Sequence, residues 1–153
     1  MYWTRSLERA DLQDGRVYVH GIARMSLSPF DIKTFIETSD AALVFGFRTL
    51  TPEEAVEKGI PVWMATLRRR AGHDAIVECL QRVFPQIADE GSLVEILFDA
   101  CQHARSLGYK RLCFSPALYG EPMFPSALKR VGEKLARPVK IRSTTGLTSL
   151  ALE

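Results

Sequence analysis

The segment RRRAGH, residues 68–73, holds the residue types best suited to binding an anion. The apolar run at 60–67 predicts a strand before it, and the amphipathic run at 75–84 predicts a helix after it. Backbone N–H groups at a helix start attract anions, and the fork of a guanidinium matches the oxygens of a phosphate. We therefore expect a phosphate or nucleotide site with these cofactor-binding residues: Arg68, Arg69, Arg70 and Gly72.

The same segment has a simpler interpretation as a solvated basic corner. Asp74 would sit at the cap of the predicted helix, where a carboxylate repels an anion. A third interpretation, nucleic-acid binding, requires further basic residues to join the arginines in space: Lys110, Arg111, Lys129, Arg130 and Lys134. The net charge of +2 is small for a protein that binds a polyanion, so nucleic acid is not the favoured partner.

Two more residues fall where chemistry or ligand contact is expected. His73 follows the arginines, and a histidine titrates near neutral pH, so it is a candidate catalytic acid or base. Arg48 follows the buried run at 41–47, and ligands of α/β sheets bind beyond the strand ends. We therefore expect Arg48 to contact a ligand, with pairing to a carboxylate as the alternative.

The cysteines do not indicate a disulfide framework or a metal site. Their odd number, three, and their wide spacing are typical of reduced thiols in a cytosolic protein. Cys101 and His103 are two residues apart on a predicted helix, so they point away from each other. We expect no metal.

Length and composition favour one soluble domain that spans residues 1–153. The chain is 46% hydrophobic and 25% charged, which is ordinary for a globular protein. No apolar run reaches the roughly 18 residues of a membrane span, and the N-terminus lacks the apolar core of a signal peptide. The expected location is the cytoplasm, without a membrane partner.

Strand and helix patterns alternate along the chain. Strands are predicted at 16–20, 41–47, 60–67, 109–115, 138–143 and 147–153, the last two joined by a turn at 144–146. Helices are predicted at 3–10, 28–38, 51–58, 75–84, 92–108 and 125–137. Ser92 and Glu95 read as a capping box, and Gly108 as the stop of the same helix. The expected fold is a mixed α/β sheet flanked by helices, with a C-terminal antiparallel hairpin.

The stretch LFDACQHARSLGYKRLCFSPALYGEPMFPSALKRVG, residues 97–132, runs helix, glycine, strand, loop, helix. It resembles the closing half of GNAT-type acyltransferases, where a helix ending A-x-x-x-G-(Y/F) leads to a strand, a short helix and a terminal antiparallel pair. The pattern, which extends over residues 97–153, looks most similar to the acyl-homoserine-lactone synthases. The segments GFRTLTP at 46–52 and VWMATLRR at 62–69 are similar to their Gly-x-x-Arg-Leu-x-Pro and Trp-Glu-x-Ser-Arg segments.

This resemblance implies a GNAT-like fold that binds coenzyme A or a related acyl thioester. It implies that Tyr119, in a loop after a strand, donates a proton to a departing thiolate as a catalytic acid. The strands at 60–67 and 110–115 would then be a splayed parallel pair. Two departures bear on the chemistry. Met64 stands where the synthases have an acid, and Asp74 takes the final small position of the phosphate-binding pattern Arg-x-x-Gly-x-(Gly/Ala).

Two functions from different classes therefore stay open beside the nucleic-acid interpretation. One is a GNAT-like protein that binds an acyl thioester and transfers the acyl group. The other is a non-catalytic bacterial regulatory or protein-interaction module, with a protein partner or a second copy of itself. The lack of the synthases' acid on the strand at 60–67 favours the non-catalytic module. The pattern of helices and strands favours the GNAT-like fold.

Overall fold

The computed structural model describes residues 2–6, 42–48, 60–82, 88–137, 140–141 and 147–152. The strand predicted at 16–20, the helices predicted at 28–38 and 51–58, and the turn predicted at 144–146 lie outside these residues.

The described part of the chain forms strands, two helices and one 3₁₀ turn. The strands are β1 (Tyr2–Ser6), β2 (Ala42–Arg48), β3 (Ile60–Ala71), β4 (Asp74–Val77), β5 (Leu80–Arg82), β6 (Arg111–Phe114), β7 (Lys140–Ile141) and β8 (Thr148–Ala151). The helices are α1 (Glu90–Ser106) and α2 (Phe124–Lys134), and the 3₁₀ turn is Pro116–Gly120.

The strands form one mixed sheet, in the order β1-β2-β3-β4-β6-β8-β7, with β5 also paired to β3. The β4–β6 pair is parallel, whereas the other pairs are antiparallel. The predicted mixed α/β architecture is therefore confirmed. β7 and β8 pair in antiparallel fashion at the C-terminal edge.

Two helix predictions are wrong within the described residues. Residues 2–6 form β1, because each backbone position pairs with β2, and so short a helix would be marginal by itself. Residues 75–84 contain β4 and β5 instead of a helix. An irregularity between these two strands breaks the strict alternation of a strand. Apolar residues therefore recur at Ile76, Cys79 and Leu80, which imitates a helical stripe.

α1 supplies the largest share of the core. Its buried face carries Leu93, Ile96, Leu97, Ala100 and Ala104, which pack against the sheet. Full burial of such an aliphatic side chain stabilises the fold by roughly 1.5–3 kcal/mol. α1 was expected from this periodicity, and its existence is confirmed.

The ends of α1 explain its length. The N-cap is Asp89 and the box partner is Ser92, so the predicted box of Ser92 and Glu95 lies three residues too late. At the other end Gly108 has a φ of +89°, and its N–H donates to the carbonyl of Arg105 (3.0 Å). The N–H of Tyr109 donates to the carbonyl of Ala104 (3.1 Å), which completes a Schellman motif.

α2 packs beside α1 through Leu128 and Val131, as its pattern predicts. Its first residue, Phe124, is fully buried and lies 5.7 Å from the ring of Phe114 and 5.1 Å from that of Tyr119. These ring contacts hold the 3₁₀ turn between β6 and α2 in a fixed position. Neither described helix is long and apolar enough to cross a membrane.

Candidate functional site

β4 and β6 diverge after four paired positions. They run side by side from Asp74 and Arg111 to Val77 and Phe114. The last bond between them joins the N–H of Ser115 to the carbonyl of Val77, at 3.0 Å. Beyond this bond, β5 stays paired with β3, while the segment that follows β6 forms the 3₁₀ turn. A wedge therefore opens between β5 and the 3₁₀ turn.

The splayed pair was expected at 60–67 and 110–115. That prediction is wrong about the first strand, because β4 lies between β3 and β6.

A β-bulge causes this divergence. Between the pairs Arg68↔Ile76 and Ala65↔Leu80, the strand that contains Glu78 advances one residue more than β3. Thr66 holds the bulge from the β3 side. Its N–H donates to the carbonyl of Cys79 (3.0 Å), and its hydroxyl oxygen accepts the N–H of Cys79 (3.1 Å).

The wedge contains a pocket of about 320 Å³, a size within the range of small-molecule sites. Its walls are Glu78, Cys79, Leu80, Ala117, Leu118, Gly120 and Glu121. The lining combines aliphatic surface, two carboxylates and backbone groups. β5 pairs with β3 along one edge, so its other edge can offer backbone donors and acceptors to a ligand. We call this pocket the cleft.

An ion pair joins the two walls of the cleft. The guanidinium of Arg82, on β5, donates from Nε to Glu121 Oε2 at 2.9 Å and from Nη2 to Oε1. Glu121 also accepts the N–H of Met123 at 3.3 Å. The guanidinium lies over the ring of Trp63, 5.7 Å from its centroid. The pair is therefore partly shielded, and it fixes the separation of the walls at one end.

A second ion pair lies on the β3 side of the cleft. Arg68 donates from Nε to Glu78 Oε2 at 2.7 Å and from Nη2 to Oε1. The hydrogen bond with Glu78 raises the pKa of Arg68 against the opposing effect of burial, and the charge of Glu78 adds to the rise. Arg68, from the predicted arginine triplet, thus reaches a residue of the cleft, and its fork already holds a carboxylate.

The rest of the arginine segment lies at the other end of β4. Arg69 and Arg70 continue β3, and Gly72 and His73 form the two-residue turn into β4. Gly72 has a φ of +56° at the first turn position, which is what a type II′ hairpin turn requires. No helix begins here, so the helix expected after this segment is wrong, while anion binding by its arginines and Gly72 stays a prediction. Glu78 is four residues beyond Asp74, which places this turn roughly 13 Å from the cleft.

The basic residues of the nucleic-acid interpretation are split between the two ends of α1. Arg69 lies 5.9 Å from the ring centroid of Tyr109, just past the end of α1. Arg130 on α2 instead pairs with Glu90, at the start of α1, at 3.0 Å. A helix of 17 residues is about 25 Å long, so these residues do not form one patch.

Tyr119 lies in the 3₁₀ turn, but it is not part of the cleft lining. Its hydroxyl makes a 2.8 Å hydrogen bond with the hydroxyl of Thr148, a fully buried residue of β8. Its general-acid role stays a prediction.

Arg48 ends β2 opposite Ile60, at the end of the sheet where β5 also finishes. The ligand contact expected of Arg48 stays a prediction too.

None of the three cysteines forms a disulfide. Cys79 lines the cleft, and burial raises the pKa of its thiol. Burial, followed by the charge of Asp99, raises the pKa of Cys101 to about 12. A raised pKa disfavours the reactive thiolate. Among the described residues there is no group of three or more histidine, cysteine or acidic side chains arranged for a metal.

The first turn of α1 is linked through Trp63 to Arg82 at the end of β5. Trp63 contacts the guanidinium of Arg82 and donates from Nε1 to Ser92 Oγ at 2.7 Å. The carboxylate of Asp89 accepts the N–H of Ser92 at 2.8 Å. Glu90 follows and carries a lowered pKa, because Ser126 and then Arg130 donate hydrogen bonds to it. This helix start therefore presents two carboxylates.

Local sequence pattern does not predict Arg82, Glu78 or Thr66 as site residues. Their partners lie ten or more positions away along the chain, and the bulge that brings Glu78 to the cleft has no glycine or proline to mark it. The sequence signal that could have indicated them is the pair of charged residues, Glu78 and Arg82, within the apolar pattern of residues 75–84.

Solved acetyltransferase structures have the same fold as this chain. A probable acetyltransferase from Staphylococcus epidermidis ATCC 12228 matches with a TM-score of 0.59 and 15% identity, over 99% of this chain and 96% of that one. A GNAT-family acetyltransferase from Staphylococcus aureus Mu50 matches with a TM-score of 0.56 and 7% identity, over all of both chains. A Bacillus subtilis acetyltransferase in complex with CoA matches with a TM-score of 0.53 and 8% identity, over 100% of this chain and 99% of that one.

No protein-family model and no curated protein sequence matches this chain. The structural matches support a GNAT-like fold, as the resemblance of residues 97–132 implied. At these identities they establish the fold and not the activity.

Proposed function

We propose that this protein binds an acyl thioester, with the thioester and its pantetheine arm lying in the cleft between β5 and the 3₁₀ turn. The observation that carries the proposal is the divergence of β4–β5 from β6 after Val77. It leaves a pocket of about 320 Å³ where a continuous sheet would leave none.

The chemistry of the cleft suits such a ligand. A pantetheine arm is a thin chain of methylene groups and two amides. Leu80 and Leu118 offer aliphatic contact, and the edge of β5 that faces away from β3 can bond the amides as a neighbouring strand would. Bound coenzyme A or a related carrier would supply the activated acyl group.

Binding without transfer is the role that the cleft residues favour. The two cleft carboxylates, Glu78 and Glu121, are each held by an arginine, so neither is poised to take a proton from an acceptor. In a transfer reaction, the group we propose to protonate the leaving thiolate is Tyr119, which would first have to leave Thr148. The resemblance to acyl-homoserine-lactone synthases supports an acyl ligand but stays a prediction from sequence.

Titration calorimetry with acetyl coenzyme A and acetyl-pantetheine tests the proposal. Ala117→Trp fills the cleft from an exposed position, whereas Ala71→Trp places the same bulk at the arginine turn. The wild type and Ala71→Trp should bind at least one thioester, and Ala117→Trp should bind it at least about tenfold more weakly. Absence of binding by the wild type, or equal binding by the two variants, would contradict the proposal.

A further inference from the structure

The cleft has a narrow end and a wide end. The narrow end is the last bond between the two walls, from the N–H of Ser115 to the carbonyl of Val77 at 3.0 Å. The walls separate from this bond onward. The wide end therefore lies where β5 ends, at Arg82, and where the 3₁₀ turn is capped, at Glu121.

The ion pair of Arg82 and Glu121 spans the wide end. The guanidinium fork holds both oxygens of the carboxylate, with Nε 2.9 Å from Oε2. Further contacts hold each partner, because the carboxylate accepts the N–H of Met123 at 3.3 Å and the guanidinium lies over the ring of Trp63. The two side chains are 31% and 16% exposed, so water screens this pair less than a pair on the open surface.

A pantetheine arm in the cleft has to pass this ion pair. Its amides would bond the edge of β5 that faces away from β3, so the arm would run along β5. The walls are joined at the narrow end, and an arm that runs along β5 therefore leaves the cleft at the wide end. There it meets the bond between Arg82 and Glu121.

The ion pair does not have to stay open once the arm is bound. The cleft has its volume of about 320 Å³ while Arg82 and Glu121 are paired, and an arm of methylene and amide groups is thin. The pair is therefore an obstacle to passage and not to occupancy.

We propose that Arg82 and Glu121 gate the cleft: their ion pair opens to admit the arm of an acyl thioester and forms again over the bound arm. This inference rests on the proposed function and names the two residues that control how fast the site fills and empties. An ion pair that is present both before and after binding slows entry and release by the same factor. It leaves the affinity nearly unchanged.

Stopped-flow fluorescence with acetyl-pantetheine tests the gate in the full chain, because Trp63 lies beneath Arg82 and reports on it. Glu121→Gln removes the charge and keeps the side-chain size and an acceptor for the N–H of Met123. We expect the entry and release rates both to rise about five- to tenfold, with Kd changed less than about twofold. The matched control is Glu90→Gln, which weakens the exposed pair with Arg130 and should change neither rate.

The outcomes separate the gate from the binding site. Unchanged rates in Glu121→Gln, or a change confined to one of the two rates, would overturn the gate while the proposed function stands. If the wild type binds neither acetyl-pantetheine nor acetyl coenzyme A, the proposed function itself fails.

Salt dependence gives a second readout that needs only the wild type. Acetyl-pantetheine is uncharged, so salt does not steer its encounter with the protein, whereas salt does weaken an ion pair. The wild-type entry rate should rise about two- to threefold between about 0.05 and 0.5 M sodium chloride, and that of Glu121→Gln should stay level. A wild-type rate that is independent of salt, or equal slopes in the two proteins, would contradict the gate.

Discussion

The indole of Trp63 donates a 2.7 Å hydrogen bond to the hydroxyl oxygen of Ser92, and this bond ties the middle of β3 to the first turn of α1. Both residues are buried, at 0% and 2% exposure. Ser92 Oγ also accepts the N–H of Asp89 at 3.1 Å and donates to the carbonyl of Asp89 at 2.8 Å. One hydroxyl therefore sets where α1 begins and joins that start to β3.

Ser92→Ala should destabilise the protein by about 2–3 kcal/mol, because it removes half of the capping box and leaves the buried indole N–H of Trp63 without an acceptor. Chemical denaturation measures this loss. The double variant with Trp63→Phe should lose less than the sum of the two single losses. Ser106→Ala, which removes an exposed hydroxyl bond to the carbonyl of His103, should be nearly neutral. Additive losses at Ser92 and Trp63 would show that the two side chains are not coupled.

Arg82→Gln should lower the free energy of unfolding by about 1–2 kcal/mol, because it leaves Glu121, whose side chain is 16% exposed, without its charged partner. Arg130→Gln breaks a similar pair with Glu90 whose side chains are 50% and 36% exposed, so its loss should stay below about 1 kcal/mol. Urea unfolding of the two variants gives the comparison. A larger loss for Arg130→Gln would contradict the bridging role of Arg82 between the cleft walls.

Asp99→Asn should stabilise the protein at pH 8 and have little effect near pH 4. Burial, followed by the charge of Glu95, raises the pKa of Asp99 to about 6 against the opposing charge of Lys134. The folded state then binds the proton more tightly than the unfolded state, whose pKa is near 3.8. Stability associated with this group is full below pH 3.8 and is lost as the pH rises through about 6.

Thermal unfolding at the two pH values measures that difference. After solvent screening of this half-buried group is allowed for, the gain at pH 8 should be on the order of 1 kcal/mol, or about 2–4 °C in Tm. An equal gain at pH 4 and pH 8 would assign it to packing instead of ionisation.

Tyr119→Phe should cost about 1 kcal/mol of stability and leave thioester binding unchanged, since the hydroxyl bonds to Thr148 and the residue does not line the cleft. Thr148→Val, which removes the same bond from the other side, is the matched control. If an acyl-transfer rate is measurable and only Tyr119→Phe lowers it, the hydroxyl is the general acid.

Apolar runs were sufficient to predict the strands around Val62 and Leu112. Periodicity was sufficient to predict α1 and α2, because each helix has a regular buried face. It failed at residues 75–84, because the extra residue at Glu78 shifts the alternation of the strand. The cleft depends on that shift and on pairing between segments far apart in the chain. Local pattern carries neither, so it indicated the arginine turn instead.

The most direct test of thioester binding in the cleft is a ¹H–¹⁵N NMR titration of the wild type with acetyl-pantetheine, because it locates the ligand on the backbone. We predict that the largest shifts occur at the amides of Cys79, Leu80 and Gly120, with Gly72 and His73 unchanged. Shifts centred on Gly72 and His73, or none at saturating thioester, would contradict it.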